Sequence, residues 1–152
     1  MTPPTAAPAA PVAPLKIKSI HDVPANRRRG GDIRTVLSPA TVGSKAGFMG
    51  TLTLAPGEVV TEHWHPYSEE FLFCVRGEVT IRLDGEEYLL PAESGVHLPV
   101  GTRHRLVNTG TQEAFFVFCS GPLAPRPDLG HVDTEQASAA QAAAPHPHVG
   151  TA

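Results

Sequence analysis

His63 and His65, in the run GEVVTEHWHPYSEEFLFCVRG from Gly57 to Gly77, are the residues of this chain best spaced to hold a metal ion. Alternate side chains of a strand share a face, so the two imidazoles project together while Trp64 points away. A spacing of two suits a strand-borne metal pair as a spacing of four suits a helix. Glu70 follows Pro66 and a short turn, in the parity of Leu72 and Cys74, where an antiparallel partner strand brings its carboxylate beside the imidazoles. His104 comes after Pro99-Val100-Gly101, a tight turn that re-aims the next strand. Three imidazoles and one carboxylate form a borderline donor set for Zn, Fe(II), Mn(II), Ni or Cu, and on an octahedral ion they leave two positions open for water or substrate.

The elements that must position these side chains read as strands. From Leu15 to Ser120 short runs of Val, Ile, Leu, Phe and Thr are broken every eight to twelve residues by Gly, Pro, Asp or Asn. Strands are expected near 15–18, 33–37, 46–54, 58–64, 69–76, 78–83, 86–90, 95–99, 103–108 and 113–120. Asp84-Gly85 is a two-residue hairpin signal, and Pro56-Gly57 and Asn108-Thr109-Gly110 are further breakers. Ten short strands exceed what one open sheet carries comfortably, so the fold class is all-β, as two packed sheets or a closed barrel. The run FLFCV is apolar on both faces, which predicts one face toward the interior and the other toward a second sheet or subunit; a homodimer is expected.

A chain of 152 residues suits one domain. Residues 1–14 hold five Pro and five Ala with no aromatic or charged residue, and read as a disordered arm. The stretch 131–152, rich in Ala, Pro and His, reads as a flexible tail in which His146 and His148 carry little weight, leaving 15–130 as the domain. Cys74 and Cys119 sit in apolar runs and are expected to be buried, reduced thiols. A net charge of −3 argues against a polyanion such as nucleic acid as main partner. Arg27, Arg28 and Arg29 form a basic cluster, read as a solvated loop or as a contact for an acidic carrier protein or a substrate phosphate. Neither a signal-peptide core nor 18 consecutive apolar residues occurs, so a cytoplasmic location without membrane association is expected.

The spacing resembles the cupin superfamily. Its first motif is glycine, five residues, His-x-His, three or four residues, glutamate, six residues, glycine, and here Gly57, His63, His65, Glu70 and Gly77 meet every interval. Its second ends in proline, one residue, glycine, two residues, histidine, three residues, asparagine, matched by Pro99, Gly101, His104 and Asn108. One position departs: the glycine that opens the second motif is Glu93. The resemblance implies a single-domain jelly-roll barrel of two packed antiparallel sheets with one divalent metal inside, zinc first, on His63, His65, Glu70 and His104. The segments RRRGGDIRTVLSPATVGSKAGFMG and TEHWHPYSEEFLFCVRGEV are similar to the small cupin cyclases of bacterial aromatic polyketide synthases. That likeness implies aldol-type cyclisation of a poly-β-ketone, free or on an acyl carrier protein.

Such chemistry needs a Lewis acid for the enolate oxygen, a base for the methylene proton, and an apolar cavity that chooses which carbons meet. His104 is expected at the metal. His97, two residues before Pro99, is expected to face the cavity as an extra ligand or general base. Phe48, Met49, Leu52, Phe71, Phe73, Phe116 and Phe118 are candidates to line the cavity. The same four ligands would serve an iron-dependent dioxygenase, and a non-catalytic ligand-binding or sensor cupin is the alternative outside enzymes. No nucleophile elbow, dinucleotide fingerprint or phosphate loop is present.

Overall fold

Ten strands pair antiparallel into two five-stranded sheets in the computed structural model, which describes residues 16–136. The arm expected at 1–14 and the tail beyond 136, with His146 and His148, lie outside the described residues. One sheet runs β1 (Asp32–Leu37), β2 (Phe48–Leu54), β9 (Ala114–Gly121), β4 (Glu69–Arg76), β7 (Ser94–Leu98). The other runs β10 (Val132–Asp133), β3 (Val59–Trp64), β8 (His104–Val107), β5 (Glu78–Leu83), β6 (Glu86–Pro91). Neighbours far apart in sequence, such as β2 beside β9 and β3 beside β8, make the sheets a jelly roll rather than a meander. No helix among the described residues is long and apolar enough to cross a membrane.

The alternation of each strand sets the core. On β9 the inward residues Ala114, Phe116, Phe118 and Ser120 are buried, and the register stacks them into layers. Phe116 lies opposite Leu52 and Cys74, while Phe118 lies opposite Gly50 and Leu72. Gly50 is required there, because a Cβ would come within 2.6 Å of the Phe118 ring. Ser120 ends the series opposite Phe48 and Glu70, so the interior turns polar at that end. Asn108 is fully buried and satisfied: its amide donates to Leu54 O and Gln112 O, and its Oδ1 accepts from Gly110 N–H.

Three sequence expectations are corrected. Residues 16–18 are not a strand; Ser19 and Asp22 close a capping box over a 3₁₀ turn, Ile20–Asp22. A helical turn, α1 (Pro39–Val42), follows Ser38, whose hydroxyl caps Thr41 N–H with proline at the first helical position. Cys119 is exposed on the outer face of β9, whereas Cys74 is buried as expected. The fold also passes 130: β10 pairs with β3, placing Asp133 opposite His63, and the Glu135 carboxylate accepts from Glu62 N–H and Arg105.

Candidate metal centre and cavity

β3 and β8 bring the first two imidazoles together, because His63 is the direct cross-strand partner of His104. Their ring centroids are 4.3 Å apart. His65 lies just past the end of β3, on the same face as His63, and its carbonyl accepts from Gly101 N–H at 2.9 Å. Gly101 has φ of 85°, a conformation that glycine adopts at little cost, so the turn before His104 also fixes the backbone of His65. One ring nitrogen from each of His63, His65 and His104 lies within 4.8 Å of the others. Glu70, inward on β4, joins from the other sheet: its Oε2 is 2.9 Å from His65 Nε2 and 3.7 Å from His104 Nε2.

The tautomers are set by backbone carbonyls, which can only accept. Nδ1 of His63 faces Thr61 O at 2.8 Å, that of His104 faces Thr102 O at 2.9 Å, and that of His65 faces Gly130 O at 2.8 Å. All three rings therefore carry a proton on Nδ1, which leaves each Nε2 to bind a cation. Burial holds His63 well below the usual histidine range, with the His104 and Arg29 charges adding to it, and burial likewise lowers His104 despite the Glu70 carboxylate. Burial also acts to lower His65, but its contact with Glu70 outweighs this and raises it. Burial acts to raise Glu70, yet the hydrogen bond from His65 and the charges around it hold it below the ordinary value. The 2.9 Å contact between His65 Nε2 and Glu70 Oε2 places two lone-pair atoms together unless a proton or metal ion lies between them. Three Nε2 donors fixed from behind, with a carboxylate beside them, fit a divalent metal of the zinc or iron type.

A cavity of about 450 Å³ opens in front of the cluster. Its apolar wall includes Phe48, Leu52, Val60, Leu72, Leu106 and Phe118. Of the aromatic candidates, Phe48 and Phe118 thus face the cavity, as does Leu52, while Phe116 is core beneath it. Met49, Phe71 and Phe73 are corrected to the outer face, where each is exposed. His97 is corrected as well. It pairs with outward Phe71, stacks on that ring at 4.9 Å, and reaches Glu69 Oε2 at 2.8 Å, with Leu98 taking the inward position instead.

The polar wall contains groups that sequence reasoning did not assign to the site: Asn26, Arg28, Arg29 and His131. Asn26 bridges to Ile33, and its Oδ1 accepts from Arg28 N–H, so the RRRGGD loop folds back over the mouth. Only Arg27 of the basic cluster stays mostly solvated, paired with Asp32. Arg29 is held from both ends: its carbonyl accepts from Thr61 N–H and its Nε donates to Asp133 Oδ1 at 2.7 Å. Burial, helped by the Arg29 charge, lowers His131 to about 4, so this imidazole is neutral at physiological pH.

Residues 50–120 match the family model described as a cupin domain. The polyketide synthase protein CurC of Streptomyces cyaneus is 50% identical over 120 residues, 79% of this chain and 78% of its own length. The tetracenomycin polyketide synthase protein TcmJ of Streptomyces glaucescens is 44% identical over 127 residues, covering 84% of this chain and 85% of its own. Among solved structures, the polyketide cyclase RemF from Streptomyces resistomycificus superposes with a TM-score of 0.60 at 18% identity, over 70% of this chain and 78% of that one. The chain belongs to the cupin family, and within it to the small cupins that these Streptomyces polyketide synthase proteins represent.

Proposed function

We propose that this protein is a polyketide cyclase of aromatic polyketide biosynthesis, closing and aromatising a poly-β-ketone by aldol-type condensation with one divalent metal, zinc, in the barrel. The observation that carries the reading is the placement of the three-histidine cluster, with Glu70 beside it, at the inner wall of an apolar cavity of about 450 Å³. That volume lies in the range that encloses small organic ligands. The names of the relatives at 44–50% identity support the substrate class.

His63, His65, His104 and Glu70 would hold the ion, which supplies Lewis-acid polarisation of a substrate carbonyl when bound. The chain's own residues do the rest. Phe48, Leu52, Leu72, Leu106 and Phe118 exclude water and force the flexible ketone chain into a folded path, which converts a search over many ring closures into few. His131, neutral and on the cavity wall, offers a hydrogen bond to a substrate oxygen, while a pKa of about 4 makes it too weak a base to take over the proton-acceptor role expected of His97. A second copy of the chain is the proposed partner for the outer sheet face, where Phe71, Phe73 and Val75 are each more than a third exposed.

Reconstitution with a minimal polyketide synthase, with and without this protein, tests the reading through the cyclised products seen by mass spectrometry. A shift toward one ring pattern is expected, retained with zinc under nitrogen. An identical product pattern removes the cyclase reading, and a strict need for oxygen replaces it with a dioxygenase.

A further inference from the structure

Arg29 has one donor anchored and another with no partner. Its Nε is committed to Asp133 Oδ1, while its Nη2 is closed to water, from the cavity as from outside, and bonded to no protein atom. A buried guanidinium donor left without an acceptor is costly, and in native proteins such a group marks strain, a functional role, or a water or ion that completes it. Arg29 lines the cavity together with His63, His65, Glu70 and His104. The backbone is tied through Thr61, two residues from His63, so the side chain is held in register with the donor set. Binding through Nη2 therefore requires the guanidinium to turn toward the cavity that Arg29 lines.

We infer that Arg29 is the oxyanion-binding group of this cavity, taking a delocalised oxyanion of the substrate, the enolate of a 1,3-dicarbonyl unit, beside the histidine cluster. The choice of an enolate rests on the cyclase reading. When a methylene between two carbonyls gives its proton to a base, the C–H electron pair becomes a C=C bond and the carbonyl π pair moves onto oxygen. A planar guanidinium with parallel donors matches that charge, which is spread over two oxygens. His131 stands next to it as a neutral group, so Arg29 meets no competing cation from that side at physiological pH. A carboxylate offers the same chemistry and is separated by experiment.

The test is binding to the purified full chain, with zinc added and a thiol reductant present, followed by NMR titration. The probes are 1,3-cyclohexanedione, its neutral 3-ethoxy enol ether, and benzoate. The ring holds the dione oxygens apart, so they cannot chelate one ion, and the compound is anionic at neutral pH. The dione anion is expected to bind more tightly than the ether, and Arg29→Gln to weaken dione binding roughly tenfold while sparing the ether. Arg29→Lys is expected to keep part of the preference. The pair Arg29→Gln with Asp133→Asn, which removes both charges together, should show the same loss if the single variant is poorly folded. An equal preference for the anion without Arg29, or none in the wild type, overturns the inference; Arg29-dependent binding of benzoate but not of the dione overturns the enolate assignment. Because binding is read without turnover, an unchanged product pattern in the synthase reconstitution removes the cyclase reading and leaves this result standing.

Discussion

His63 and His104 are direct partners across the β3–β8 ladder, and each donates Nδ1–H to the carbonyl two residues before it, Thr61 and Thr102. The two strands thus present mirrored imidazoles whose remaining nitrogens are free. His104→Ala is expected to lower zinc affinity by more than the roughly 10–100-fold typical of losing an outer partner of a ligand, since a ligand itself is lost. Zinc competition against a chromophoric chelator reads the affinity, and near-wild-type retention would remove His104 from the donor set.

His97 gives the opposite expectation. With about half its side chain exposed and stacked on Phe71 outside the barrel, it has no route to a substrate in the cavity. His97→Ala should leave zinc content intact and product yield within roughly twofold, the equivalent of about 0.5 kcal/mol. A large loss of turnover with unchanged folding would restore it to the chemistry.

Glu93 occupies the position where the second cupin motif opens with glycine, and its φ is 62°. Its amide nonetheless donates to Cys74 O at 2.8 Å, so the turn is made at a conformational cost that a side chain imposes and glycine avoids. Glu93→Gly relieves that cost but frees more of the unfolded chain. The net expectation is a gain of about 0.5–1 kcal/mol, read by denaturant unfolding, with no change in zinc affinity.

Acid should weaken the protein through His131. Its folded pKa, about 4, lies below the ordinary 6.5, so between those values the unfolded chain binds more protons, and stability is lost as pH falls through that window. His63 and His104 act in the same direction, while His65, raised by Glu70, contributes stability that is present at low pH and lost as pH rises. Chelator-treated wild type is therefore expected to lose melting temperature from pH 6.5 to 4, and His131→Asn to lose less over the same range. Parallel curves for the two proteins would refute the assignment.

The meeting of His63, His65, Glu70 and His104 was legible because its signals are local. A two-residue spacing fixes a shared face, and proline and glycine announce the turn before His104. Glu70 held a further signal that went unused: if its carboxylate points inward, then Phe71 and Phe73, an odd number of residues away on β4, must point outward. Placing His97 required the pairing of β7 with β4, which no local pattern states. Arg29 and His131 were invisible as site residues for the same reason. The basic run reads as a solvated loop or as a contact for an acidic carrier or a substrate phosphate, with no sign that it lines the cavity, and nothing near Arg29 in sequence hints that Asp133 will hold it. The missed α1 was readable, since Ser38-Pro39 is a helix start, but four residues give no periodicity to detect.

The bonds of His65 and Arg29 to Gly130 and Asp133 span 65 and 104 residues. During synthesis from the N-terminus, both barrel motifs emerge from the ribosome ahead of those partners. A nascent chain can pair its strands yet lack the carbonyl that orients His65 and the carboxylate that steadies Arg29. The orientation of His65 and the anchoring of Arg29 therefore follow the pairing of the barrel strands rather than precede it.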